Sequence, residues 1–342
     1  MTLNAHDRLE GWPLPQEAQA VAGHDDVLSE FTSARRSGRL HHAWLFTGER
    51  GIGKATVAFT LARDLLMPEE GGERAALRQR TGRLVEQLAH PDLFYLSRRF
   101  DADKNRLKQV ISVEDTRAAM ARLGTTAADG GHRVVIVDAV DDLNANSANA
   151  LLKVLEEPPG RTVFFLIAHR AGAVLPTLRS RCRQVAFRAL DEKTIAFLLS
   201  ERTGVDKDRA ELAAALSGGS LRRAIELAEP EVLALCQELL TLLAHLPNTD
   251  PRALHGFAER IAATGEEAKA LMVELIGDWL HRRVRGLAEP LGAGVPAAHP
   301  PLARWSEVWD KLARLSTETD VFNLDRKSFV FLAFEELASA IR

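Results

Sequence analysis

The fold is decided between His42 and Leu66. This stretch opens with the short apolar run His42-Ala43-Trp44-Leu45-Phe46. It continues as Gly48-Glu49-Arg50-Gly51-Ile52-Gly53-Lys54-Ala55-Thr56 and closes with Ala55 to Leu66, a segment of helical composition without a breaker. The order reads strand, glycine-rich loop, helix. Glycines at 48, 51 and 53 let the loop turn its N–H groups inward. The helix N-terminus adds a favourable dipole and Lys54 a cation, so the loop is built as a cradle for phosphates. In such loops the residue after the lysine carries a hydroxyl that ligates Mg²⁺; here it is Ala55. Thr56 lies one residue further round the helix and is expected to point elsewhere. Taken alone, the stretch also reads as a glycine-rich turn with an incidental lysine. The strand before it and the helix after it favour the cradle.

The second decisive run is Arg133-Val134-Val135-Ile136-Val137-Asp138, a β-branched series ending in a carboxylate. It reads as a buried parallel strand, and an acid at that position can hold Mg²⁺ through water. It reads equally as a core strand whose last residue caps a turn, and the two readings are compatible. An ATPase of this kind needs a further carboxylate to polarise water, but the next residue is Ala139. Asp141 and Asp142 follow two or three residues later, in an expected loop. Ala55 and Ala139 are thus two independent losses from a phosphoryl-transfer site, which depends on positioning and charge neutralisation. A chain lacking both should hydrolyse ATP very poorly.

Around these motifs, residues 1–26 read as an irregular polar arm and 27–38 as an amphipathic helix. A break at Glu69-Glu70-Gly71-Gly72 precedes a charged helix over 75–88 and a strand over 92–96. Further helices are expected over 113–123 and 146–157, a small polar loop over 125–131, and strands over 162–168 and 185–187. Strands alternating with helices give an α/β parallel sheet. After Leu190 the pattern is helical: 192–203, 207–216 and 221–227, then a second helical unit from Pro230, broken near Pro247, Pro251 and 290–301.

The 342 residues carry 44 Lys+Arg and 47 Asp+Glu, a net charge of −3. A chain gripping nucleic acid over a broad surface is usually basic, so DNA contact here is local or shared with partners. Cys182 and Cys236 are the only cysteines, which excludes a four-cysteine zinc site and a disulfide framework. The N-terminus has no apolar signal core, and no run approaches the ~20 apolar residues of a membrane span. A cytoplasmic protein without membrane partners is expected.

Four stretches carry a family resemblance: 37–44 (SGRLHHAW), 149–159 (NALLKVLEEPP), 175–182 (LPTLRSRC) and 219–224 (GSLRRA). In this order and spacing the chain resembles bacterial clamp-loader subunits of the AAA+ type, those of DNA polymerase III. The resemblance is strong over about 20–230 and weak beyond, apart from Asn323-Leu324-Asp325-Arg326-Lys327. It implies a RecA-like parallel-sheet module at 1–188, a small helical lid at 189–235 and an all-helical collar for oligomerisation at 236–342. It also implies that Arg181, in the Ser-Arg-Cys motif, reaches as a finger into a neighbouring subunit's ATP site. Arginine suits this role because it is always charged and presents a planar fork. An arginine on a turn also pairs with a local carboxylate. Arg222 matches the lid arginine that touches the γ-phosphate in active members, or is a solvated helix charge. Where active members carry Thr, Ser or Asn after the fourth strand, this chain has Ala168-His169.

The implied function is that of a non-hydrolysing stator in a clamp loader that opens a sliding clamp and places it on primed DNA. Its partners are the ATPase subunits and the delta-type subunit. The implied ligand is ATP or ADP, held weakly by Gly48, Gly51, Gly53, Lys54, Ala55, Thr56, Asp138 and Arg222, with no metal. Relatives often carry a zinc module where 67–100 lies without cysteine, so no zinc is expected. Two other readings stay open: an active AAA+ ATPase using Asp141 or Asp142, and an interaction scaffold with an empty loop. His41 and His42 are expected to point to opposite faces and serve packing. Glu156 and Glu157 are not expected to be a catalytic pair, since neighbours on a helix do not face each other; a surface role at a helix end is expected for both. Trp279, Trp305 and Trp309 are expected as helix-core anchors.

Overall fold

The computed structural model describes residues 8–68, 75–101, 106–108, 110–123, 131–286 and 302–341. The expected break at 69–72, most of the expected loop at 125–131 and the stretch 290–301 lie outside them. The chain divides into two compact units, Met1–Gly204 with Ser217–Ile225, and Val205–Leu216 with Glu226–Arg342.

The first unit begins with α1 (Asp25–Arg36), β1 (Ala43–Thr47), α2 (Lys54–Leu66), α3 (Ala75–Glu86) and β2 (Leu93–Ser97). A two-stranded antiparallel hairpin follows, β3 (Phe100–Asp101) and β4 (Arg106–Leu107), then α4 (Val113–Leu123) and β5 (Arg133–Asp138). After a 3₁₀ turn at Val140–Asp142 come α5 (Ala145–Glu156), β6 (Thr162–Ala168), the short α6 (Pro176–Arg179) and β7 (Arg183–Ala186). Helix α7 (Glu192–Thr203) and the start of α9 (Leu221–Leu227), through Ile225, also belong to this unit, while α8 (Lys207–Leu216) belongs to the second. The hairpin was not expected, since its strands of two residues are too short to show periodicity. Asp141 and Asp142 sit in the 3₁₀ turn rather than in an open loop.

The sheet is parallel throughout, in the order β2-β5-β6-β1-β7. Alternate side chains enter opposite faces. Trp44, Phe46, Val134, Ile136, Val163, Phe165 and Ile167 pack on one side against α1 and α2. Leu45, Val135, Val137, Phe164 and Leu166 pack on the other against α4 and α5. Burial on both faces is why these strands read as continuous apolar runs. Phe31 of α1 joins the first face, its ring 5.2 Å from Trp44 and 5.6 Å from Phe165.

In the second unit α8 is accompanied by α10 (Pro230–Ala244), α11 (Pro251–Thr264), α12 (Glu266–Arg285), α13 (Leu302–Val321) and α14 (Arg326–Ile341). Trp279 and Trp305 are buried and meet edge to face at 5.9 Å. Trp309 departs from expectation. It is 39% exposed, and its ring lies over Gly277, where a Cβ would approach it to 2.8 Å. Buried Lys269 donates to Ser316 O at 3.0 Å and pairs with Asp320, tying α12 to α13. In the Asn323–Lys327 motif, Asp325 caps α14 by accepting from the amides of Lys327 and Ser328. Among the described residues, no helix is long and apolar enough to cross a membrane.

Phe165 is fully buried where α1 meets the central strands. Phe165→Ala is expected to lower the unfolding free energy by about 3–5 kcal/mol, read from the midpoint of the urea transition that exposes Trp44.

Candidate functional site

A parallel sheet puts all its strand C-termini at one edge, where open α/β folds bind ligands. The register aligns Thr47 with Ala168 and Ala186, and Asp138 with Ile167. The glycine loop after β1, the acid ending β5 and the residue after β6 therefore converge. They border one cavity of about 280 Å³, lined by Gly51, Gly53, Lys54, Ala55, Thr56, Asp138, His169 and Arg222. Thr56, expected to point elsewhere, borders it too, because the cavity extends along the first turn of α2. Gly48 lies behind the loop: at φ 143° a Cβ there would come within 2.8 Å of Phe187 O. Arg181 does not line the cavity.

The loop is held from two sides. His24 Nε2 donates to Ile52 O at 2.7 Å. On the other side the start of α9 lies against Gly51, whose amino acid must be small: a Cβ at its φ of 79° would strike Ser220 Oγ and come within 2.6 Å of Arg222 Cβ. Arg222 N also donates to Gly51 O at 3.4 Å. Arg222, matched by resemblance, is thus at the loop, and Gly51 is needed for chain packing as well as for loop conformation.

Lys54 is 3% exposed and donates to Gly48 O at 2.6 Å and Glu49 O at 2.5 Å. Burial lowers its pKa to about 8, against the opposing pull of Asp138, Asp141 and Glu49. Asp138 accepts from Tyr95 OH at 3.2 Å.

The two acids weighed as replacements for Ala139 are both engaged. The Asp141 side chain is 2% exposed, and its carboxylate accepts from His169 N at 3.2 Å and Arg170 N at 3.1 Å. Asp142 pairs with Arg98 at 3.0 Å, and burial raises its pKa. Burial and then Lys54 lower the His169 pKa to about 4, so the ring is neutral at pH 7; its Nδ1 is buried with no hydrogen-bond partner among the described residues.

The cavity is also lined by apolar residues the sequence left unassigned: Trp12, Leu14 and Val21 of the arm, with Leu198 and Ile225. The arm is fixed by Arg63, which donates to Gln16 O at 2.8 Å and Ala18 O at 3.1 Å, and Arg202 lies over the Trp12 ring at 5.5 Å. The one available signal was the cluster Trp12-Pro13-Leu14-Pro15 within a polar arm.

Outside the cavity, Arg181 Nη2 pairs with Glu156 Oε1 at 2.5 Å and Nη1 donates to Thr177 O at 3.0 Å. His41 and His42 do not point apart: their rings stack at 4.6 Å and 23°, because both precede β1 and escape its alternation. His42 Nε2 donates to Leu155 O at 3.0 Å. Among the described residues no group of His, Cys, Asp and Glu is arranged to hold a metal.

Residues 23–191 match the family described as DNA polymerase III, delta subunit. The chain is 30% identical over 280 residues to the DNA polymerase III subunit delta' of Escherichia coli (strain K12), covering 81% of this chain and 80% of the relative. It is 32% identical over 307 residues to the DNA polymerase III subunit tau of the same organism, covering 82% of this chain. It spans only 45% of that relative's length. Among solved structures, a DNA polymerase III gamma subunit-related protein of Thermotoga maritima aligns over 91% of this chain and 99% of that one, with 16% identity and a TM-score of 0.48.

Asp141→Ala leaves two amides at the end of β6 without their acceptor and is expected to destabilise the protein by about 2–3 kcal/mol. Asp142→Ala removes a more exposed pair and should cost under about 1 kcal/mol. Paired urea titrations check the order.

Proposed function

The chain belongs to the DNA polymerase III delta' family of clamp-loader subunits, and on that premise we propose that it is the non-hydrolysing stator of its complex. One observation carries the reading. Position 139 is alanine, the Asp141 carboxylate is occupied by backbone amides, and Asp142 is occupied by Arg98. Water activation would require one of these acids to abandon its partner. Ala55 removes the Mg²⁺ hydroxyl as well. Both arrangements weigh against the reading as an active ATPase.

The cavity combines a glycine loop and a buried lysine with the apolar side chains of Trp12, Leu14, Val21, Leu198 and Ile225, a mixture that suits the phosphates and base of a nucleotide. This favours a stator that retains ATP or ADP over a scaffold with an empty loop. Lys54 would leave the Gly48 and Glu49 carbonyls for phosphate oxygens, loop amides would donate, and Arg222 would approach from α9. In this reading nucleotide held here is not hydrolysed, and the γ-phosphate that is released comes from ATP bound by the neighbour. Arg181, at the surface after α6, is donated in trans to an ATPase neighbour. There a finger is worth ~10³–10⁵ in kcat in other phosphoryl-transfer systems.

In this reading residues 1–188 form the RecA-like module, 189–235 the lid and 236–342 the collar. The partners are the ATPase subunits and the delta-type subunit, with the sliding clamp and primed DNA met through the assembly in the cytoplasm. The net charge of −3 accords with surfaces that meet mainly proteins.

The purified chain is expected to release phosphate from ATP at the buffer rate; robust Mg²⁺-dependent turnover overturns the stator reading. In the reconstituted complex, Arg181→Ala should leave assembly intact by mass measurement and lower ATPase and clamp loading; unchanged rates reject the finger.

Nucleotide affinity should depend little on Mg²⁺ and should depend on pH through Lys54. Its charge is present below about pH 8 and lost above, so affinity is full at pH 7 and falls up to about tenfold per unit above pH 8. Calorimetry from pH 7 to 9.5 measures this, and Lys54→Met should flatten the profile.

A further inference from the structure

We propose that Glu156 is a positioning residue for Arg181, holding its guanidinium in place until a neighbour's phosphate displaces it; this rests on the reading of Arg181 as a finger. Glu156 is the last residue of α5, and Arg181 lies two residues beyond α6. The guanidinium is fixed at two points on two elements: Nη2 on Glu156 Oε1 at 2.5 Å and Nη1 on Thr177 O at 3.0 Å. Two anchors set both the position and the plane of the fork, which a single contact would leave free to rotate.

Exposure makes the arrangement reversible. The Arg181 and Glu156 side chains are 37% and 49% exposed. An ion pair this wet shifts an equilibrium by only about two- to five-fold. A buried pair would be different, because the carboxylate left behind would be stranded out of water. When Arg181 leaves, Glu156 is simply hydrated. A triphosphate offers the fork more charge and the same bidentate geometry, so it outcompetes one carboxylate. Glu156, expected only at the surface of a helix end, therefore carries the rest position of the finger. Engagement has to overcome that hold, which lowers turnover when the neighbour's site is incompletely assembled.

The test uses the full chain in the reconstituted complex with its ATPase subunits, reading phosphate release without primed DNA. Glu156→Gln keeps size and removes charge on an exposed side chain, so folding is not at issue. It should raise turnover about two- to five-fold at low ionic strength, with the gain shrinking as salt screens the pair. Glu156→Asp should restore part of the hold. The gain should vanish when Arg181→Ala is also present, since two residues acting through one contact are not additive. If Arg181→Ala lowers turnover but Glu156→Gln changes nothing, or its gain survives Arg181→Ala, the holding role is wrong and the finger stands. If Arg181→Ala is itself without effect, the finger reading falls and the holding role with it.

Discussion

The first unit depends on the pairing of β6 with β1 on one side and β5 on the other. All seven residues of β6 are buried, so its amides and carbonyls must be met by neighbours running in register. That register fixes the heights of Thr47, Asp138 and Ala168 relative to one another. The loop, the acid and the residue after β6 then share one edge without further adjustment. The site is a consequence of ladder geometry, and its chemistry depends on which side chains stand at three strand ends.

What stands there is a cavity whose acids and base are engaged by local partners. Asp141 closes the end of β6 by accepting from two amides, and Asp142 holds Arg98. Lys54 is buried and donates to loop carbonyls, and its affinity for a proton falls because burial disfavours the charged form. Each acid or base has a local partner that a turnover site would need to release. The Arg181–Glu156 pair differs in being partly exposed to water.

Much of this was legible beforehand because the relevant signals are local. The buried strands over 133–138 and 162–168 show as apolar runs, and helices such as 113–123 show in composition and breakers. The glycine loop is legible because its conformation needs residues without a Cβ. The β3–β4 hairpin was not legible, since two residues a strand carry no period. The stacking of His41 on His42 was missed because alternation was extended to residues outside the strand. The exposure of Trp309 depends on the neighbouring helix offering Gly277 as its seat.

The sequence by itself determined the parallel α/β module, the helical remainder, the loss of groups at Ala55 and Ala139, and the family to which the chain belongs. These follow from residue identity and spacing along one chain. Tertiary structure decided that Asp141 is taken up by two backbone amides and Asp142 by Arg98, that Gly51 makes room for the start of α9, and that Trp12 lines the cavity. It also decided that Arg181 rests on Glu156. The physical reason is the same in each case: what a residue does depends on which atoms lie within contact or hydrogen-bond reach, and those atoms come from segments distant in the chain.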